Sequence, residues 1–491
     1  MDKPAEMFDR DFEWSELARF ACYPGSEPTL GVVSGRRRQG KTFLLDGLCR
    51  ATGGFFFAAS EATEAESLRQ FGTALARFEG RQVPYRFAHW EEAVIGLMGL
   101  ADRGGGPQVV VLDEFPFLAK ASPELPSLLQ RALGPQARQE SGPVRLLLCG
   151  SALSFMGSLL SGTAPLRGRA GLELVVPTLD FRPAARFWGL ADPRLAVLVN
   201  SVVGGTPAYR REFVLGDAPV DLDDFGPWVL RNVLNPSRPL FREARFLLAE
   251  EPDLRDTALY HGVLAAIAQG NHTRGGIAGF LERKSTDLGH ALTVLEDTGM
   301  IVRAADAFHG KRSAYRIAEP ILTFYHALMR PEWSDLERPG QAAAVWERSQ
   351  ATFRSKVVGP HFEDLCRTWA RWYAGADTLG GRRTRVESGT VPDPVARVSH
   401  EVDLAAFGRD EDGREVLLAI GGAKWNEVMG LGQLQRLDRI RTLLRSRGGV
   451  QAERTRLLCF SGAGFSDELR EVARRDRAVQ LVDLDRLYTG D

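Results

Sequence analysis

The sequence predicts an α/β protein whose first part is built on a parallel sheet, and three apolar runs predict it. Thr29–Ser34 (TLGVVS) is short and β-branched, and it leads through Gly35-Arg36-Arg37-Arg38-Gln39-Gly40-Lys41-Thr42 into a helical stretch, FLLDGLCR. Val109–Leu112 is four apolar residues ending in Asp113-Glu114, the pattern of a strand buried on both faces of a sheet. Arg145–Gly150 (RLLLCG) is a third run, and it ends in Ser151.

The frame around these runs is large. A chain of 491 residues implies about three domains. With 44% hydrophobic and 25% charged residues, extended disorder and collagen-like order are excluded. The 62 Lys+Arg nearly balance 63 Asp+Glu, so any nucleic-acid contact must come from a local basic face. Only seven of those cations are lysines, which makes Lys41 and Lys424 stand out where they sit in chemical patterns. The five cysteines form no CxxC pair, so neither a disulfide framework nor a zinc ribbon is expected. The N-terminus MDKPAEMFDRDFEW is acidic and lacks an apolar leader, and no run approaches the ~20 apolar residues of a membrane span. A cytoplasmic protein with no membrane partner is the expectation.

The strand–loop–helix context gives the glycine loop its chemistry. Gly35 and Gly40 let backbone N–H groups turn around phosphate oxygens, and Lys41 reaches the β and γ phosphates. The Thr42 hydroxyl ligates Mg²⁺, and the helix opening at Lys41, Thr42 and Phe43 adds its N-terminal partial charge. Asp113 holds the same ion, and Glu114 deprotonates the water that attacks the γ-phosphate. The expected ligands are therefore ATP and Mg²⁺. Ser151 reads equally as a sensor of the γ-phosphate or as a cap for the next helix. Arg36, Arg37 and Arg38 read as solvated.

The order GRRRQGKT, VVVLDEFPFL, LLLCGSALSFM, PLRGRAG, VVGGTPAY resembles archaeal-type ATPases of the AAA+/STAND superfamily. The resemblance implies a P-loop ATPase core over 1–178, a helical lid over 179–250, a winged helix over 251–329 and a PD-(D/E)XK nuclease-like domain over 341–491. It also implies site residues. Phe8-Asp9-Arg10 followed by Glu16-Leu17 resembles the segment that helps seat the nucleotide, with Arg10 and Gln39 among the nucleotide-binding positions. Pro165-Leu166-Arg167-Gly168-Arg169 supplies an arginine finger, from Arg167 or Arg169, into a neighbouring subunit, which calls for a homo-oligomer or partner protein. A surface salt bridge is the competing reading of those arginines. Gly204-Gly205-Thr206-Pro207 resembles the lid loop whose proline, Pro207, packs near the adenine.

Further along, helical spacing over Leu254–Gln269, Gly276–Leu281 and Ser285–Asp297 gives way to a strand from Gly299, a polar loop Ala307–Arg312 and a strand Ser313–Ile317. Three helices and a hairpin make a winged helix. Arg283, Lys284, His290, His309, Lys311 and Arg312 are its candidate contacts to double-stranded DNA, while a joint between proteins is the alternative. Two prolines and a glycine in 330–340 mark a boundary. Beyond it come a helix (Ser355–Tyr373), strands Thr384–Glu387, Glu401–Phe407 and Glu415–Ile420, a helix Asn426–Leu444 and a strand Arg456–Phe460. That order resembles the restriction-endonuclease-like fold.

Such a nuclease needs an acid on its second strand and an acid-x-lysine triplet on its third. Asp403 and Lys424 fit, but Gly422 stands where the second acid belongs. Glu363, Glu401 and Glu415 are the possible substitutes, and Gln433 and Lys424 read as surviving phosphate or protein contacts. The domain is expected to be inactive. The function expected of the chain is an ATP-driven, DNA-associated switch; the rivals are an ATP-gated assembly protein without nucleic acid, and an active metal-dependent nuclease.

Overall fold

The computed structural model describes residues 1–103, 107–134, 142–249, 257–446 and 451–491. It divides into two compact units, Met1–Thr178 with Asp297–Gly299, and Leu179–Glu296 with Met300–Asp491.

The first unit is a five-stranded parallel sheet: β1 (Thr29–Ser34), β2 (Phe55–Ala58), β3 (Gln108–Asp113), β4 (Val144–Gly150) and β5 (Ala170–Val175), in the spatial order β2-β3-β4-β1-β5. The three runs that announced the sheet are β1, β3 and β4. Their apolar residues face both ways because the sheet has a core on each side. Val110, Leu112, Leu146 and Leu148 enter one core with Phe55, Phe71 and Trp90. Val109, Val111, Leu147 and Cys149 enter the other with Trp14, Leu17, Leu44 and Leu48. In the register Val32 pairs with Leu148, and Leu148 pairs with Leu112 on its other side. Thus β4 separates β1 from β3, so the glycine loop, the acidic pair and Ser151 all leave the same sheet edge, at the carboxyl ends of neighbouring strands.

The second unit is larger. It opens with helices Phe181–Trp188 and Pro193–Val203, each entered through an aspartate cap, Asp180 and Asp192. The segment expected to be a winged helix contains helices Thr257–Ala268, Arg274–Phe280 and Gly289–Asp297 and the hairpin β6 (Ile301–Asp306) and β7 (His309–Ile317). The expected helix start at Leu254 and the lid limit at residue 250 lie outside the described residues. Two boundaries move. The run Ser285–Leu288 is a 3-10 turn before the helix proper. The polar stretch Ala307–Arg312 is mostly strand: Asp306 Oδ1 accepts the Phe308 N–H at 2.9 Å, closing a tight turn that lets β7 begin at His309.

A seven-stranded sheet runs in the order β12-β11-β10-β9-β8-β6-β7, with β8 Arg383–Asp393, β9 Val398–Arg409, β10 Glu415–Lys424, β11 Arg456–Ser461 and β12 Val479–Val482. The β6–β8 junction is a single pair, Asp306 with Ser388. The helix expected from Ser355 is a π-turn, Phe353–Val358, running into Gly359–Trp372. The helix expected from Asn426 begins at Leu431, because Met429 is taken up in a bridge with Phe465. Among the described residues no helix is long and apolar enough to cross a membrane.

Candidate nucleotide site

The loop after β1 is shaped by what surrounds it. Gly35 has φ 154°, and a β carbon there would stand 2.5 Å from the Val176 carbonyl oxygen, so only glycine fits. Gly40, at φ 85°, turns the chain into the helix Lys41–Thr52. Lys41 is buried and its Nζ donates to the Gly35 and Arg36 carbonyls at 2.6 and 2.8 Å. The ammonium thus closes the loop from within. Burial pushes its pKa below the usual lysine value, while Cys149, Glu114 and Asp113 pull it back up.

The carboxylates meet the loop across the strand ends. Thr42 Oγ1 donates to Asp113 Oδ2 at 2.7 Å, and Asp113 Oδ1 accepts the Glu114 N–H at 3.0 Å. Glu114 itself sits in the left-handed region, φ 52° and ψ 41°, at the corner where β3 becomes the helix Phe115–Ala121. Ser151 Oγ donates to both carboxylate oxygens of Glu114, at 3.2 and 3.1 Å. The serine therefore touches the candidate base, and the helix Leu153–Ser158 is entered through Ala152 with no side-chain cap.

The remaining expected site residues are spread over both units. Arg10 is buried and its guanidinium bonds protein groups: Glu13 at 3.0 Å, the Gln39 carbonyl at 3.3 Å and the Pro177 carbonyl at 2.7 Å. Gln39 is buried and Phe43 is exposed. Arg167 is exposed and donates to the Gly162 carbonyl at 2.7 Å; Arg169 is half-buried. Pro207 lies in the second unit, in a loop fixed by its neighbours. A β carbon on Gly205 would fall 1.8 Å from the Leu179 carbonyl oxygen, and Thr206 Oγ1 donates to the buried Glu319 at 3.2 Å.

In the C-terminal sheet, Asp403 on β9 and Lys424 at the end of β10 flank Gly422, with Glu363 on the helix Gly359–Trp372. Asp403 Oδ2 accepts the Ala423 N–H at 2.8 Å. Burial and the neighbouring Asp403 push the Glu363 carboxyl up to about 7, and burial raises Asp403 as well. A β carbon on Gly422 would meet Asp403 Oδ2 at 3.9 Å and Leu437 at 3.7 Å, so the place of the missing acid is open. Gln433 Oε1 accepts the Gly430 N–H at 3.0 Å and so holds the entry to the helix Leu431–Ser446. Among the described residues no three His, Cys, Asp or Glu side chains gather as a metal-binding group.

Between the hairpin and the helix Gly289–Asp297 lies a cleft of about 630 Å³ lined by Arg274, Arg303, Lys311, Arg312 and Glu296 among others. Lys311 and Arg312 are residues that the sequence places at such a face. Arg283, Lys284 and His290 are exposed but do not line it, and His309 Nδ1 turns to Asp306 Oδ1 at 3.2 Å. Arg274 and Arg303 are additions. Arg303 was legible in principle, since alternate residues of a strand share a face. Glu13 lies on the helix Asp11–Ala21, which Arg10 precedes with a left-handed backbone, and their three-residue spacing was the only signal of the pair.

The first unit is a parallel α/β sheet consistent with a P-loop ATPase core. No family model matches the chain. It is similar in structure to a Walker-type ATPase of Pyrococcus abyssi, with TM-score 0.50 and 20% identity, covering 66% of this chain and 97% of that one. A likeness to the ORC2 protein of Aeropyrum pernix has TM-score 0.45 and 15% identity, over 71% of this chain and 97% of the other. In sequence it is 27% identical over 310 residues to an uncharacterised protein of Methanocaldococcus jannaschii, 62% of this chain. The chain matches 65% of that relative's length.

Proposed function

We propose that the protein is a Mg²⁺-dependent ATPase that works as a DNA-associated switch. The observation that carries this reading is the convergence of Lys41, Thr42, Asp113, Glu114 and Ser151 at one sheet edge. Thr42 and Asp113 present hard oxygen donors side by side, the donor set that Mg²⁺ favours. Bound there, the ion would neutralise phosphate charge. Lys41 is the cation for the β and γ phosphates, Glu114 accepts the proton of the attacking water, and Ser151 holds Glu114 until the γ-phosphate offers it another partner. Arg167 or Arg169 serves as the finger toward a neighbouring copy, and Pro207 carries nucleotide state into the lid.

The second unit supplies the response. Its helices and hairpin form a winged helix whose basic cleft, with Arg274, Arg303, Lys311 and Arg312, is suited to the phosphates of double-stranded DNA. Its C-terminal sheet is a nuclease-like domain without nuclease activity, because Gly422 replaces a metal-binding carboxylate. The test is the ATPase rate of the full chain with and without double-stranded DNA at low and high salt, beside Lys41→Ala. The expected outcome is a rate that DNA changes only at low salt, and a variant with nucleotide affinity down by about 100-fold or more. Undiminished affinity in Lys41→Ala would overturn the ATPase reading. A DNA-independent rate at every salt would favour a switch that binds proteins.

A further inference from the structure

Arg10 lies nine-tenths buried, and its guanidinium hydrogen-bonds Glu13 and two backbone carbonyls. Its backbone is left-handed at φ 70°, directly after Asp9 at φ 56°. Two consecutive non-glycine residues in that region persist only where surroundings hold them. Here Lys3 Nζ donates to the Asp9 carbonyl at 2.7 Å, and the Arg10 carbonyl accepts the Trp14 N–H at 2.9 Å. The turn delivers the guanidinium to two carbonyls far apart in sequence, Gln39 and Pro177, with Glu13 as its counter-charge at 3.0 Å.

Each carbonyl matters through the chain just beyond it. No peptide bond among the described residues is cis, so the Gln39 carbonyl and the Gly40 N–H point in opposite directions across their shared plane. Holding the carbonyl on the Arg10 side turns the Gly40 N–H to the other side. Pro177 belongs to the segment that leaves β5 and ends the first unit at Thr178. That segment already touches the loop's other end, where the Val176 N–H donates to the Ser34 carbonyl at 2.7 Å and the Val176 carbonyl crowds Gly35.

We propose that Arg10 is a positioning residue for the phosphate loop: it aims the Gly40 N–H at the phosphates and ties the loop to the segment 175–178 through which the chain leaves the first unit. This rests on the ATP-binding reading of the loop. A guanidinium is required because a single ammonium lacks the planar fork that serves a carboxylate and two carbonyls together.

The experiment uses the full chain as wild type, Arg10→Gln and Arg10→Lys. It measures nucleotide affinity, kcat at saturating ATP, and hydrogen exchange of segments 39–42 and 176–179 with and without ADP. Both variants are expected to lose about tenfold or more in affinity while kcat at saturation stays within about twofold. Exchange of the two segments should rise together in the nucleotide-free protein, and ADP should no longer protect 176–179. Wild-type affinity in Arg10→Gln, or full recovery in Arg10→Lys, would overturn the proposal, as would faster exchange confined to one segment. If both variants fail to fold, Glu13→Gln is expected to loosen both segments more mildly, and no change in it would count against the strut. If the wild type binds no nucleotide, the ATP reading fails, and exchange in the free protein still decides whether Arg10 joins the two segments.

Discussion

Two regions of this chain bring a lysine near two carboxylates, and they differ in how the carboxylates are supported. Asp113 has a partner for each oxygen, the Thr42 hydroxyl and the Glu114 N–H, and Glu114 is held by Ser151. Burial drives both Glu363 and Asp403 toward the protonated form, and the charge of Asp403 adds to this at Glu363. At the first place hydrogen-bond donors meet the carboxylates; at the second, burial works against their charge. The open space beside Gly422 marks what separates them.

The sharpest way to break the comparison is at Glu114. Glu114→Gln keeps the size and the Ser151 contact but loses the base, so ATP should still bind while turnover falls about 10²- to 10³-fold. Hydrolysis at the wild-type rate would remove Glu114 from the site. Next comes the incomplete region. Wild-type protein should not nick supercoiled plasmid in Mg²⁺ or Mn²⁺, with Asp403→Ala as the contamination control; robust nicking lost in that control would make the two sites equals. Gly422→Glu adds a third acid to the pair, and should cost about 1–3 kcal/mol without metal, part of it regained in Mn²⁺, read as melting temperature.

The smallest effect separates the two units by acid. All eight histidines but His89 belong to the second unit. Burial holds His361 and His261 down to about 4, and His326 lies well below the ordinary histidine value, with Arg330 and Arg245 also disfavouring charge at His261 and His261 and Arg330 at His326. These pKa values are lowered in the fold, so the unfolded chain takes up protons first. Their contribution is fully present above about pH 6.5 and is lost as pH falls toward 4. The second unit should therefore melt first in that window, with a slope of up to about 1.4 kcal/mol per pH unit for each of the three histidines. His361→Gln, which can still bond Asn200, should flatten the slope. An unchanged pH profile in that variant would discharge His361.

Much of the first unit was legible because its chemistry is local. Thr29–Thr42, Val109–Glu114 and Arg145–Ser151 each carry a strand, its turn and a candidate site side chain within a short stretch. What escaped was set by distant partners. Arg10 meets Pro177 across 167 positions, and nothing in either segment announces the other. β8 extends over Arg383–Asp393, far beyond Thr384–Glu387, because it pairs with β9 along that whole length and needs no apolar run of its own. The first part of the hairpin strand β7, His309–Arg312, reads as loop in the sequence because it is polar and largely exposed, and the turn that frees it is made by one aspartate side chain.

That aspartate has a mechanical meaning. Asp306 Oδ2 also accepts from the Thr390 N–H at 3.2 Å and the Thr390 hydroxyl at 2.8 Å, beside the lone β6–β8 pair. Asp306 thus fastens a two-stranded lever to a five-stranded plate, beside the Ala307 N–H, which donates to the Ser388 carbonyl at 2.9 Å. A load placed on β7 has a short path: through Asp306 into β8, and across the ladder into β9, the strand that carries Asp403.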